Sequence, residues 1–566
     1  MSIDLYQHRE QNESSAVWDI YPRPKMVRTS FLNLNGEWTF CDAKITVPFC
    51  PESAASGLGI LLDDNDIVFY EKAFTLPEGF RKGRVLLHFG AVDQVADVYL
   101  NGCFIGRHEG GYTHFSYDVT AALQEGENHL KVRVEDRLDD GIFPYGKQKH
   151  KRGGIWYTPV TGIWQTVWME SVPDHHIQDI LMRTKGNCVH IALKTQGSAN
   201  AILYFDGKTY RFTDRIDFEV ENPHYWTPED PYLYEFGLDF GADHIESYLC
   251  LRDVGVGTVN GVPRLLLNGQ PYFFHGVLDQ GYFADGIYTP NTPEDYEKDI
   301  RMLKDCGFNM LRKHIKVEPD VFYYFCDKIG IAVFQDMVEN GPYSFLRDTV
   351  YPTLSKAKKI DDTKLHQDRR TREMFIRSMR QTVAQLRNFG CIVYWTVFNE
   401  GWGQFCGSDM YKLLKKLDST RITDTASGWF KGCESDVCSE HVYFKKVKLK
   451  RSEKPIVLSE YGGYAWSVPG HVFNEKHHYG YRGFRSLEAF QDALEELMLR
   501  DVCARIPEGL CADVYTQLSD VEDEINGLTT YDREVMKVDP DRMKRIADRI
   551  CQTFAESTAE GGTADD

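Results

Sequence analysis

The sequence predicts a chain in three parts: an N-terminal β-sandwich, a smaller immunoglobulin-like β-sandwich and a C-terminal (β/α)8 barrel. Three observations predict it. The 566 residues far exceed the ~250–300 at which one hydrophobic core stops growing. Up to about residue 260 the chain reads as short alternating strands with no helical period, and beyond it as strands alternating with helices. Finally, the apolar run Ile392-Val-Tyr-Trp-Thr-Val-Phe398 breaks off into Asn399-Glu400, and Pro455-Ile-Val-Leu-Ser-Glu460 repeats the device. Strand-terminal polar groups of this kind belong at the mouth of a parallel barrel, where the C-terminal strand ends converge.

The expected sandwich spans residues 1–173, with strands at Gly36–Phe40, Ile67–Phe74, Arg84–Phe89, Ala96–Gly102, His129–Glu135 and Gly162–Trp168. Residues 174–259 repeat the short-strand style over an immunoglobulin-sized length. The texture changes after Leu265-Leu-Leu-Asn-Gly-Gln-Pro271. The expected barrel, residues 260–553, has strands near Phe273–Val277, Met310–Lys313, Ala332–Gln335, Ile392–Phe398, Arg421–Thr425, Val437–Val442, Ile456–Leu458 and Asp513–Leu518. Its first helix is expected over Pro293–Cys306 with Thr292 as N-cap. Residues 554–566 are small and acidic and are expected to form a disordered tail.

Composition narrows the function. A hydrophobic content of 42%, with 13% aromatic residues, supplies large cores, and a formal charge of −19 argues against a nucleic-acid surface. The basic stretches Lys147–Arg152 and Lys445–Arg451 read as solvated loops or helix ends. The first residues lack an apolar signal region, and no apolar run approaches the ~18 residues of a membrane span. The 14 cysteines form no Cys-x-x-Cys pair, which suits free thiols in a reducing compartment, so a cytoplasmic protein is expected. With no P-loop, dinucleotide fingerprint or His-Glu-x-x-His, neither cofactor nor metal is expected. Asp63-Asp-Asn-Asp66 lacks the spacing of a calcium loop and reads as a turn.

The chemistry rests on the carboxyl pair. One strand-terminal glutamate can simply solvate a loop; two that meet can cleave a glycosidic bond. A retaining glycosidase holds an acid/base and a nucleophile about 5–5.5 Å apart, whereas an inverting one needs about 6.5–9.5 Å. The reading of a different class is a non-catalytic carbohydrate-binding protein, which has no need of two carboxyls aimed at one bond.

The domain order, the two strand-end motifs and several shorter signatures together resemble glycoside hydrolase family 2, which includes β-galactosidases, β-glucuronidases and β-mannosidases. The signatures are Leu34-Asn-Gly-Glu-Trp38, Val47-Pro-Phe49, Val98-Tyr-Leu-Asn-Gly102, Thr161-Gly-Ile-Trp-Gln165, His275-Gly-Val277 and Gly307-Phe-Asn-Met-Leu-Arg312. The resemblance implies that Glu400 is the general acid/base and Glu460 the nucleophile. It also implies that Asn399 binds the sugar 2-hydroxyl, that Tyr443 orients Glu460 and that Arg312 holds it ionised. Apolar neighbours such as Trp395 or Trp402 could keep Glu400 protonated by desolvation. His441, two residues before Tyr443 on one face of a strand, either lines the pocket or is a bonded core histidine. Trp429 and Trp466 are candidate stacking platforms for a sugar ring or loop-packing residues.

The sequence departs from the family at the barrel mouth. Where galactosidases and glucuronidases read Arg-x-Ser-His, this chain reads Arg312-Lys-His-Ile; where they read Asn-x-His-Glu, it reads Leu278-Asp-Gln-Gly-Tyr282. Lys313, His314, Asp279 and Gln280 are candidate sugar contacts by position, or solvated loop residues. Glucuronidases carry Asn-x-Lys after the eighth strand; this chain has Glu524-Ile-Asn526, a carboxylate that counts against a uronic acid, although Lys313 could supply a cation. The expected reaction is retaining, exo-acting hydrolysis of a β-galactoside-like terminal sugar, with an α-L-arabinofuranoside, a β-glucuronide or a β-galacturonide as alternatives. The partner is a glycoside or oligosaccharide, and a homo-oligomer is possible.

Overall fold

A computed structural model describes residues 3–7, 17–64, 66–344, 346, 361–428, 430 and 432–559. The first sandwich packs a six-stranded sheet (Gly36–Phe40, Ala43–Val47, Ile67–Thr75, Val95–Leu100, Cys103–Glu109, Glu127–Glu135) on a four-stranded one (Leu32–Asn33, Arg84–Phe89, Phe115–Asp118, Val167–Val172). Alternation drives it: in Glu127–Glu135 every second side chain is buried, joining a core that includes Trp38, Tyr70 and Leu130. Asn101 and Gly102, both with positive φ (50° and 78°), form the two-residue turn that reverses the chain between Leu100 and Cys103. The expected strand Gly162–Trp168 is two: Gly162–Ile163 pairs with Val92–Asp93, and Val167–Val172 enters the smaller sheet. The second sandwich is built likewise from a three-stranded and a four-stranded sheet between His176 and Leu249.

The barrel follows. Its strands are β1 (Phe274–Asp279), β2 (Met310–Lys313), β3 (Ala332–Asp336), β4 (Ile392–Asn399), β5 (Ile422–Ser427), β6 (Cys438–Val442), β7 (Ile456–Gly462) and β8 (Leu510–Thr516). They are paired in the order β5-β4-β3-β2-β1-β8-β7-β6, all parallel. Side chains close the seam between β5 and β6: Ser439 donates to Asp424, and Ser427 Oγ lies 3.0 Å from His441 Nε2. Strands β4, β7 and β8 are buried along their whole length, as their unbroken apolar runs require.

The α-helices among the described residues are α1 (Glu294–Asp305), α2 (Asp320–Ile329), α3 (Arg369–Leu386), α4 (Gly407–Leu417), α5 (Leu487–Asp501) and α6 (Pro540–Thr558). Thr292 lies two residues before α1, and its N–H and hydroxyl both bond the Asp295 carboxylate. Helix α6 extends into the segment expected to be a tail, because Phe554 still packs on the core. The remainder of that segment, residues 560–566, lies outside the described residues. No helix among the described residues is long and apolar enough to cross a membrane.

Candidate active site

The strand ends deliver the carboxyl pair as their sequence pattern requires. Asn399 closes β4, and Glu400 follows in the left-handed region at φ 54°. That conformation is uncommon for a residue with a Cβ and turns its side chain sharply off the strand. Gly401 cannot be replaced here, since a Cβ would fall 1.9 Å from the Phe430 ring. Glu460 lies within β7. One oxygen of Glu400, one of Glu460 and a ring nitrogen of His441 all lie within 4.8 Å of one another. Carboxyl oxygens this close agree with the retaining arrangement.

The two glutamates occupy different environments. Glu460 is buried and accepts hydrogen bonds from Arg312 Nη1 (3.1 Å) and from the Tyr443 hydroxyl. Burial pushes its carboxyl up, but His441, Arg312 and His314 together with the Tyr443 hydrogen bond outweigh that and hold it at about 2. The carboxylate is therefore ionised at neutral pH. Glu400 is more open, its side chain 22% exposed against 7% for Glu460. Its Oε1 lies 2.7 Å from His441 Nδ1, and the same nitrogen is 3.6 Å from Glu460 Oε2. His441 thus stands between the carboxyls, with Ser427 behind its other nitrogen.

Arg312 is the hub. Its Nε donates to both oxygens of Asp336 (2.9 and 3.1 Å), Nη1 to the Ser459 carbonyl and Glu460, and Nη2 to Asn399 Oδ1 (3.0 Å). Fixing Asn399 Oδ1 in this way turns the amide nitrogen of Asn399 outward as a donor. The Asn399 N–H is taken by Glu339, whose carboxyl burial raises well above the usual range and whose Oε2 is buried without a partner. Tyr443, one residue beyond β6, is held from behind by Thr516 Oγ1 at 3.1 Å and stacks flat on Tyr481, 3.9 Å between ring centres. Asp336 and Glu339 were missed in the sequence. Asp336 carried the same signal as Glu460, an apolar strand, Ala332-Val-Phe-Gln, ending in an acid.

Several expected sugar contacts are committed elsewhere. The Lys313 ammonium is fully buried between Asp279 (2.6 Å) and Glu318 (2.8 Å), over the Phe322 ring. Neither Lys313 nor Asp279 is therefore free for substrate, because a buried ion pair cannot release one partner cheaply. Gln280 is buried as well. His314 gives Nδ1 to Asp336 at 2.8 Å, and burial lowers it to about 4, so it is a neutral imidazole beside Glu460. Glu524 is buried and pushed up by that burial; its oxygens accept from the Tyr157 hydroxyl and from Asn526 Nδ2 (2.9 Å). Both of its oxygens are thus already bonded within the protein. Trp395 points away, to Asp418 (3.0 Å). Trp466 packs on the main core, its carbonyl accepting from Lys537, and Trp429 lies outside the described residues.

The mouth is walled by a loop of the first sandwich. Tyr145 and Gly146 donate their N–H groups to the Glu339 carbonyl, and Thr158 N–H donates to Glu522. Trp156 from this loop meets Trp402 edge-on at 5.2 Å and Tyr343 at 5.0 Å, and Tyr145 packs on Trp402 at 5.3 Å. Trp402 is two residues from Glu400, so this aromatic wall borders the Glu400–Glu460 carboxyl pair. Among the described residues the only other trio of closely set metal-ligating atoms, His471, Asp532 and Glu534, is on the surface.

Comparison with known proteins matches three family descriptions in chain order. These are glycosyl hydrolase 2 galactose-binding domain-like (residues 63–157), glycosyl hydrolases family 2 (175–252) and glycosyl hydrolases family 2, TIM barrel domain (259–538). A β-galactosidase of Thermoanaerobacter pseudethanolicus is 25% identical over 63% of this chain and 48% of its own. The chain spans less than half the length of the first curated relatives it matches. In fold it is similar to a β-D-glucuronidase of Dictyoglomus thermophilum (TM-score 0.73, 18% identity, 93% of this chain and 98% of that one). It is similar also to a β-galacturonidase of Eisenbergiella tayi (TM-score 0.69, 18% identity, 93% and 99%).

Proposed function

The chain belongs to glycosyl hydrolase family 2, and we propose that it is a retaining, exo-acting glycosidase that removes a terminal β-linked hexose or hexuronic acid by double displacement. The observation that carries this reading is the meeting of Glu400, His441 and Glu460 within 4.8 Å, with Glu460 held at about 2. Glu460, ionised and gripped by Arg312 and Tyr443, attacks the anomeric carbon and forms the glycosyl-enzyme. Glu400 protonates the departing glycosidic oxygen, then takes a proton from the water that releases the sugar. His441 shares its Nδ1 between them and steadies whichever carboxyl is ionised. The Asn399 amide, aimed by Arg312, donates to the sugar 2-hydroxyl. The relatives named above act on β-galactosides, β-glucuronides and β-galacturonides, which share one ring frame and differ in C4 configuration and C6 oxidation. A β-galactoside-like ring fits that set.

The test is the stereochemistry of the first-formed product on a panel of nitrophenyl glycosides, followed by proton NMR. The β-anomer is expected before mutarotation; an α-anomer from a β-glycoside would make the enzyme inverting. Silence on every glycoside, with sugar binding intact, would favour the carbohydrate-binding alternative.

A further inference from the structure

We propose that Lys147, carried into the barrel mouth by a loop of the first sandwich, is the cation that recognises the carboxylate of an acidic terminal sugar. The inference rests on the glycosidase reading above and names its substrate class, β-hexuronides.

Lys147 belongs to the basic stretch expected to be solvated, yet it is half-buried. Two of its neighbours in that stretch have partners. Lys149 sits over the rings of Trp156 (4.2 Å) and Tyr343 (5.5 Å), and Arg152 lies 3.6 Å from Glu522 and 3.5 Å from Asp523. Lys147, like Lys149 and Lys151, has no carboxylate within ion-pair distance among the described residues, although the chain carries a net charge of −19. Its backbone is pinned to the barrel on both sides. Before it, Gly146 (φ 62°) approaches so closely that a Cβ would lie 2.9 Å from the Ile315 carbonyl. Behind it, the Lys147 carbonyl accepts from Tyr157 N–H at 2.9 Å, and the Tyr157 hydroxyl donates to Glu524. The ammonium stands 5.8 Å from the centre of Trp156, the ring that abuts Trp402 beside Glu400.

The other charges of the mouth are already spoken for. Arg312 is divided among Asp336, Glu460 and Asn399, Lys313 is locked between Asp279 and Glu318, and both oxygens of Glu524 are occupied. The charge of Lys147 acts on His314, Glu339 and Glu524. A half-buried ammonium with no carboxylate in ion-pair contact is open to one brought by a ligand, through a single charge-assisted bond.

The experiment compares matched pairs, nitrophenyl β-glucuronide with β-glucoside and β-galacturonide with β-galactoside, on the full chain and on Lys147→Met and Lys147→Arg. The uronide of at least one pair should be preferred. Lys147→Met should lower its kcat/KM relative to its neutral partner by about 10- to 100-fold, the worth of one charge-assisted bond, and Lys147→Arg should restore most of that ratio. A neutral preference in the unaltered chain, or an equal loss on both members of a pair, would overturn the role of Lys147. If neutral-sugar activity then still vanished in Glu460→Gln, the glycosidase reading would stand alone. A carboxyphenyl β-galactoside tests the aglycone side: a Lys147 effect there and not on uronides would also overturn the proposal. Should nothing be hydrolysed, calorimetry with free glucuronate and galacturonate decides, since binding weakened at least tenfold by Lys147→Met upholds the proposal and no binding refutes it.

Discussion

Arg312 holds three acceptors that must stay in register for the chemistry to work: Asp336 behind, Glu460 to one side and Asn399 to the other. Replacing it with methionine should cost about 3–5 kcal/mol, because two buried carboxylates lose their counter-charge. It should also lower kcat/KM by at least about a hundredfold, as Glu460 and Asn399 drift from position; denaturant melts and steady-state kinetics check both. Glu460 supplies a second prediction. Its folded value of about 2 lies below the ordinary carboxyl value, so its stabilisation is complete above ~4.3 and is lost as pH falls from there towards 2. The contribution is on the order of 3 kcal/mol. Urea midpoints measured across that window should fall steeply for the unaltered chain and less steeply for Glu460→Gln; parallel slopes would refute the depressed value. Legibility at this scale depended on whether a partner was local. The pair Glu400 and Glu460 could be read because an apolar run ended in each, and His441 shared a face with its neighbour. The fates of Lys313, Asp279 and Glu524 could not, since Lys313 meets Asp279 from another strand end and Tyr157 reaches Glu524 from the first sandwich.

Among the elements, the seam between β5 and β6 matters most to the chemistry, since it is closed by side chains and carries His441. Gly428, just past β5, has φ 98°, and a Cβ there would lie 3.0–3.1 Å from the His441 ring. Gly428→Ala should therefore destabilise by about 1–3 kcal/mol and displace His441 from Glu400. Glycosides with poor leaving groups, which need the acid most, should lose more kcat than activated ones; an equal loss would place His441 outside proton transfer. All eight barrel strands were legible as apolar runs bounded by turn residues. The split of Gly162–Trp168 was not, because pairing with two different sheets is decided by partners far away in sequence.

For the molecule as a whole, the two sandwiches are bound by buried charge. Arg28 donates to Glu170 of the first sandwich (2.9 Å) and, from Nε and Nη2, to Asp243 of the second (2.9 Å each), with the Ile177 carbonyl at 2.7 Å. Arg28→Ala leaves two buried carboxylates unpaired and should cost about 3–5 kcal/mol, seen as a lower unfolding midpoint without a change in KM; a changed KM would mean that the sandwiches move the loop that walls the mouth. That loop is where the sequence was least informative. Lys147–Arg152 carries no periodicity or motif that marks an approach to the barrel, and only the packing of one domain on another brings it there.

The most direct test of the account is to incubate the protein with an activated 2-deoxy-2-fluoro β-glycoside of its preferred sugar and weigh the intact chain. The account predicts one added fluorosugar, mapped to the peptide bearing Glu460 and absent from Glu460→Gln. A label on any other residue, or steady hydrolysis of a slow substrate with no covalent intermediate, would contradict it.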